Sequence, residues 1–280
     1  MSFALHQMLQ DLPLLNILDV GAMSLGGASA YQKLVDHKKA RVIGFEPGLE
    51  ECRKLNERMG PPHIFYPFFI GDGAPATYYE TNHVMTGSLY RPNTGLLEMF
   101  QNLAELTALG QTHEVETRRL DDIEGIGCVD FIKMDVQGSE LNVFKGASKA
   151  LETALAIQVE VEFVELYQGQ PMFSDVDKYL RGKGYQFHTF LGFGKRCFKP
   201  VVVNDNVNDG LNQYLWSDAV YVKDWMRLEH LSTVQLKKYA VLLHDLFRSA
   251  DLCHLLLSRI DGRDGTDLAG RYLHMCGGGN

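Results

Sequence analysis

Two stretches carry charges where a buried strand should have none. In FIKMDVQGSE, residues 131–140, Lys133 and Asp135 stand two apart in an otherwise apolar run. In VEVEFVE, residues 159–165, Glu160 and Glu162 alternate with Val159, Val161 and Phe163. A strand alternates faces with period two, so each charged pair shares a face. Burying such charges is costly unless they are paired. If the two strands are neighbours, Asp135, Glu160 and Glu162 converge. Such a group can take a proton from a hydroxyl as a general base, or hold a divalent metal such as Mg2+ through hard oxygen ligands. It can also do no more than satisfy Lys133 and nearby loop amides. Lys133 is expected to be structural, paired with Asp135, Asp19 or Glu160 so as to orient the acids.

A second group lies further upstream. DVGAMSLGGASAY, residues 19–31, has an acid at a strand end, Asp19, followed by a glycine-bearing turn through Gly21 and Ala22. Glu46 ends the next apolar run, and Asp72 follows a third. In open α/β sheets, ligands sit beyond the carboxyl ends of the strands, and an acid after the second strand can accept both ribose hydroxyls. An acid after the third suits an adenine amino group. The ligand is therefore expected to be an adenosine derivative. A phosphate-binding loop of the form G-x-x-x-x-G-K-[ST] fails, because Gly27-Ala28 follows Gly26. A dinucleotide loop G-x-G-x-x-G fails because Met23 takes the middle glycine position. S-adenosylmethionine has no phosphate and a cationic amino group, which Asp19 suits.

The elements that must position these residues follow from the apolar pattern. LLNILDV (14–20), RVIGFEP (41–47), HIFYPFFIGDG (63–73, broken at Pro67), VDFIKMD (129–135), AIQVEVEF (156–163), YQFHTFL (185–191) and DAVYVKD (218–224) read as strands. Helical spacing lies between them at 28–37 and in SELNVFKGASKAL, which Ser139 should cap. Near-continuous apolar strands alternating with helices predict a parallel sheet covered on both faces. Residues 74–120 break this rhythm and are read as an insertion near the acceptor site, with a helix at 96–109 and a strand at 113–119. Residues 1–226 would form the main domain. From 227 to 275 a helical appendage follows, with a capping box at Ser232–Gln235 and an apolar stripe of Leu236, Tyr239, Ala240, Leu243 and Phe247. That stripe packs on the main domain or serves a homodimer. Residues 276–280, CGGGN, are expected to be disordered.

On ILDVGAMSLG, VIGFEP, TGSLY, RRLDDI, VDFIKMDVQGSELNVFKGA and VEVEFVELYQGQPMF, the chain resembles the FkbM family of S-adenosylmethionine-dependent methyltransferases from about residue 16 to 224. The resemblance implies a class I methyltransferase fold, Rossmann-like, with seven strands of which the last is antiparallel. It also implies methyl transfer to an oxygen, often a hydroxyl of a sugar or natural product. Asp19 and Gly21 then belong to the cofactor loop, Glu46 is the ribose acid, Asp135 and Gly138 belong to the fourth-strand motif, and Glu160 and Glu162 to the fifth. Gln137 stands where many relatives have Glu. Glu162 or Asp135 is the expected base, with His188 a third candidate if it is not simply packed. TGSLY (86–90), Tyr78, Tyr79 and the loop from Tyr167 to Phe173 are candidate walls for the acceptor.

Composition narrows the rest. A formal charge of −8, with no run of Lys or Arg, argues against nucleic acid as a partner. No signal peptide and no membrane span are expected, and five scattered cysteines without C-x-x-C read as reduced thiols, which together suggest a cytoplasmic protein. The expected partner is a small-molecule or carbohydrate acceptor. Two other readings remain open: a cofactor-binding scaffold whose helical tail recruits a partner, and a nicotinamide dehydrogenase, which Met23 disfavours.

Overall fold

The computed structural model describes residues 3–9, 11–23, 27 and 29–277. Its strands are Leu15–Val20 (β1), Ala40–Phe45 (β2), Ile64–Tyr66 (β3), Phe69–Ile70 (β4), Pro75–Thr81 (β5), Leu109–Arg118 (β6), Phe131–Met134 (β7), Ala156–Glu162 (β8), Tyr185–Phe190 (β9), Gly194–Lys195 (β10) and Tyr214–Lys223 (β11). The main sheet runs β3-β2-β1-β7-β8-β11, with β9 and the short β10 sharing the far edge of β11. The pairs from β3 to β8 are parallel, and β11 runs antiparallel to β8 and β9. All seven expected strands are present, and the last in sequence is the one that runs against the others. The chain order reverses at β1, between β2 and β7, so the loops after these strands share one crevice.

Alternation splits the core in two. Leu18, Val20, Ile132, Met134, Ile157 and Val159 face the layer that holds helices Glu140–Lys145, Ser148–Thr153 and Phe173–Gly182. Leu15, Ile17, Val42, Phe131, Ala156 and Val222 face the other layer. That layer is built largely from the tail. Leu236, Tyr239, Ala240 and Leu243 are completely buried in this layer, and half-buried Phe247 packs edge-on against Phe131, so the stripe packs on the main domain. Ser232 and Gln235 form the capping box, and Lys238 reaches buried Asp130 at 2.6 Å. The tail also gathers in the first described residues. Asp245 accepts the Leu5 N–H at 2.7 Å and pairs with His6 Nδ1 at 2.7 Å.

Several local expectations differ. Pro67 ends β3, and Phe69–Ile70 leaves the main sheet to join a separate three-stranded sheet, β4-β6-β5. The helix expected at 96–109 is two single turns, Thr94–Leu97 and Leu103–Leu106, because Asn102 is left-handed at φ +59. The helix after residue 139 is interrupted at Gly146, where a Cβ would come within 2.4 Å of the Gly71 carbonyl. Asp121 of the RRLDDI stretch takes the Ser148 and Lys149 N–H groups and starts the second piece. Ser139 holds the cap position, but its hydroxyl donates to the Val136 carbonyl and caps nothing. Of the helix expected at 28–37, Gln32–Asp36 is helical and Ala28 lies outside the described residues. So do 278–280 of the tail, while Cys276 and Gly277 end a helix. The five cysteines are free thiols. Among the described residues, no helix is long and apolar enough to cross a membrane.

Candidate active site

The loop after β1 is tied to its neighbours by backbone. Gly21 and Ala22 both donate to the Phe45 carbonyl at 3.0 Å. Gly21 sits at φ +79, and a Cβ there would lie 1.9 Å from the Asp135 carbonyl oxygen. Only glycine fits so close a crossing of two strand ends. The loop residues Ser24, Leu25 and Gly26 lie outside the described residues.

Register explains the charges on β7. Asp19 stands opposite Lys133, Lys133 opposite Gln158, and Glu160 opposite Asp218. All lie on the face whose deeper half is Ile17, Phe131 and Ala156, so this face turns from apolar to polar toward the carboxyl ends. Lys133 Nζ donates to the Gly21 carbonyl at 3.1 Å and lies 3.6 Å from Asp19 Oδ1 and 3.9 Å from Asp135 Oδ2. Burial disfavours its charge, but Asp19, Asp135, Asp218 and Glu160 outweigh it and hold the ammonium above the ordinary lysine range. Asp19 accepts a 2.5 Å hydrogen bond from Tyr31 through Oδ2. Burial pushes its carboxyl up, against Lys133 and Tyr31. Its Oδ1 is buried with no hydrogen-bond partner.

Glu46 is 4% exposed, and its Oε1 accepts the Gly48 N–H at 2.8 Å. Burial raises its carboxyl as well. A cavity of about 110 Å³ runs between Gly21, Glu46, Asp135 and Gln137 on one side and Tyr78 and Ser88 on the other. It adjoins a cleft of about 1050 Å³ that holds Asp19, Ala22 and Lys133, and Met23 and Met85 line both. Asp72 lines neither. It is exposed, and its Oδ1 takes the Ala74 N–H across the turn at 3.1 Å. Phe68, Phe69 and Ile70 hold that side of the cavity instead, because β4 bends away after Pro67.

Behind Asp135 the acids gather. Gln137, left-handed at φ +56, donates through Nε2 to Asp135 Oδ1 at 2.8 Å and to Glu160 Oε2 at 2.6 Å. Tyr167 donates to its Oε1 at 3.0 Å. An amide donor here serves two carboxylates that a glutamate would repel. One oxygen each of Glu140, Glu160 and Glu162 lie within 4.8 Å of one another. Glu140 was not singled out in the sequence. It reads as an ordinary acid in a first helical turn, yet it is 2% exposed, and Oε1 accepts from Val136 N at 2.9 Å and Gly138 N at 3.2 Å. Nothing in the sequence marks it, because the Val136 and Gly138 amides reach it only once the turn has formed. Burial pushes Glu140 up to about 7. It pushes Glu160 and Glu162 well above the usual range, and neighbouring carboxylates add to both.

His188 does not join this group. Burial lowers its basicity, and the charge it feels is Asp251 of the tail. Segment 86–90 does lie at the site. Ser88 Oγ donates to the Gln137 carbonyl at 2.5 Å, Tyr167 to the Thr86 carbonyl at 3.0 Å, and Asn142 to Tyr90 at 3.0 Å. Tyr78 lines the cavity, whereas Tyr79 contributes its backbone to a bridge with Ser88.

The family described as methyltransferase FkbM domain matches residues 19–187. The 2-O-methyltransferase NoeI of Sinorhizobium fredii (strain NBRC 101917 / NGR234) is 30% identical over 167 residues, 55% of this chain and 66% of that relative. The match therefore spans just under two thirds of the relative's length. A solved structure of a candidate methyltransferase from Thermoplasma acidophilum gives a TM-score of 0.40 at 10% identity, over 76% of this chain and 70% of that one. A SAM-dependent methyltransferase from Aquifex aeolicus gives 0.31 at 12% identity, over 79% and 90%. At these scores the two structures add nothing to the topology described above.

Proposed function

The chain belongs to the FkbM family of methyltransferases, and on that premise we propose that it moves a methyl group from S-adenosylmethionine to a hydroxyl of a sugar, glycan or natural product. The observation that carries this reading is one cavity, beyond the carboxyl ends of β1, β2 and β7, lined by Gly21, Glu46 and Asp135. The residues suit the donor. Asp19 offers a buried carboxylate oxygen with no hydrogen-bond partner to a cationic amine. Glu46 offers an acid to a ribose diol, and Gly21 allows backbone contact without a side chain in the way. Bound there, S-adenosylmethionine supplies an electrophilic methyl on a sulfonium.

The chain's own task is alignment, a proximity effect, and removal of the hydroxyl proton. Asp135 lines the cavity and is the acid assigned to that proton. Lys133 and Gln137 hold it in place. Tyr78 and segment 86–90 form the opposite wall, where an aromatic face suits a sugar ring. The printed name of the NoeI relative, a 2-O-methyltransferase, supports oxygen as the acceptor atom.

Calorimetric titration of S-adenosylmethionine into wild type and Glu46→Ala tests the donor site. A hydrogen bond to a charged acceptor contributes about 1.5–3 kcal/mol, so the variant should bind about 10- to 150-fold more weakly. Absence of binding to wild type, or equal binding by a folded variant, would overturn the assignment.

A further inference from the structure

We propose that a second cavity, lined by His6, Lys33, His37 and Arg248, binds a phosphate group, free or carried on a small molecule. This cavity measures about 380 Å³ and shares no lining residue with the two that hold the proposed methyl-donor site. Three stretches far apart in sequence wall it: the first described residues, the helix Gln32–Asp36 with His37 after it, and the tail from His244 to Arg248.

Its walls are cationic, in a chain whose formal charge is −8. Lys33, His37 and Arg248 line it, and among the described residues their side chains make no hydrogen bond and no ion pair. The acid on its wall, Asp245, has both oxygens engaged: Oδ1 takes the Leu5 N–H and Oδ2 pairs with His6 Nδ1, each at 2.7 Å. Asp36, on the same helix as Lys33, accepts from Gln32 and lines the neighbouring cleft instead. Positive groups gathered around one space repel each other, and a bound anion turns that repulsion into attraction.

The independent observation is His6, which is 3% exposed and lines the cavity. Its ring lies against that of His37, with centroids 4.8 Å apart. Asp245 accepts the proton on Nδ1, so Nε2 carries a lone pair in the neutral ring and an N–H in the imidazolium. Among the described residues no hydrogen bond reaches Nε2. His244 on the same wall differs: it pairs Nδ1 with the Tyr272 hydroxyl at 2.9 Å and Nε2 with the Phe3 carbonyl at 3.0 Å. A buried ring nitrogen without a partner needs a ligand that can serve it.

Phosphate serves both forms of His6. Its oxygens accept from the imidazolium, and its hydroxyl donates to the neutral ring. Its other oxygens can take the Lys33 ammonium and two parallel N–H groups of the Arg248 guanidinium. A metal ion on the two imidazoles would instead face the charges of Lys33 and Arg248, which oppose it.

The test is calorimetric titration of sodium phosphate, and separately of glucose 1-phosphate, into the full chain. The proteins are wild type, Lys33→Gln, Arg248→Gln and the control Lys178→Gln; all three substituted residues are exposed, so the variants keep the fold. Expected is one site per chain for at least one of the two compounds. It should weaken at least about tenfold in each cavity variant and stay unchanged in Lys178→Gln. Tighter binding of the ester assigns the site to a phosphorylated small molecule, and tighter binding of inorganic phosphate assigns it to the free ion; either supports the site. No binding of either compound at millimolar concentration, or binding unchanged in both cavity variants, would overturn it. Neither titration needs the methyl donor or an acceptor, so the result stands apart from the proposed reaction.

Discussion

Replacing Lys133 by Met separates a structural lysine from a catalytic one. The ammonium is 3.6 Å from Asp19 Oδ1 and 3.9 Å from Asp135 Oδ2. At an effective dielectric of 20, each attraction is about 4–5 kcal/mol before desolvation. Desolvation of the lysine cancels much of that, and the Asp135 side chain, 25% exposed, is partly screened. Breaking a buried pair while leaving its partner behind typically costs about 3–5 kcal/mol. The lower end, about 3 kcal/mol, is expected here, because Asp19 can take up a proton and keeps its bond from Tyr31. For a domain of this size that lowers Tm by about 6–12 °C. The pH dependence has a definite sign. Burial already holds the Asp19 carboxyl above its unfolded value, and loss of the cation raises it further, so the variant's deficit is greatest where Asp19 is ionised in both folded proteins and fades as pH falls from the variant's folded pKa to that of wild type, both above the unfolded range of about 4. Urea unfolding of wild type, Lys133→Met, Asp19→Asn and the double variant at pH 7.5 gives the cycle, and coupling above about 1 kcal/mol is expected. A Lys133→Met protein within about 1 kcal/mol of wild type, yet inactive, would refute the structural role and put the lysine in the chemistry.

Gly21→Ala should abolish donor binding and cost more than the roughly 1–2 kcal/mol of a left-handed residue, since its Cβ would meet backbone; Gly125→Ala, at φ +82 with nothing within 4 Å, is the control that should show the conformational cost alone in urea titrations. Burial lowers Lys223 to about 8 despite its 2.8 Å bond to the Leu151 carbonyl. The unfolded chain therefore binds more protons from about pH 8 to 10.5, and this group's contribution to stability rises with pH across that window. Lys223→Met should remove that rise between pH 7.5 and 9.5, and an identical slope in both proteins would contradict the burial argument.

What the sequence revealed followed from strong, local patterns. β1, β2, β7 and β8 are apolar runs ending in an acid or a glycine turn, so their existence, their faces and the placing of Asp19, Gly21, Glu46 and Asp135 at the carboxyl ends could be read in advance, whereas their order in the sheet comes from the structure. Residues whose position depends on partners far along the chain could not. Glu140 looks like a solvated first-turn acid until the Val136 and Gly138 amides claim it. Asp72 follows an apolar run that departs from the sheet at Pro67, which no periodicity announces. β6 is legible as the strand at 113–119, whereas its ribbon partner β5 is half-exposed along most of its length and has no buried face to mark it. Tyr31 closes on Asp19 only through the fold, and the docking of the tail adds polar contacts that no local pattern announces, Lys238 to Asp130, 108 residues away, and Tyr239 to the Lys223 carbonyl.

The clasp between Asp245 and residues 5 and 6 has a consequence for the order of assembly. Its partners Leu5 and Asp245 are separated by 240 positions, and between them lies every strand of the sheet. Contacts of such separation pay their loop-closure entropy late and slow the final step of folding. On the ribosome, where chains grow at about 5–20 residues per second, β1 emerges well before the helices that cover its lower face. Until they arrive, Leu15, Ile17, Val42 and Phe131 present an apolar surface to solvent or to a chaperone. The segment from 233 onward is thus the last seal of the core, and a ribosome that stalls short of it releases a sheet with one face bare.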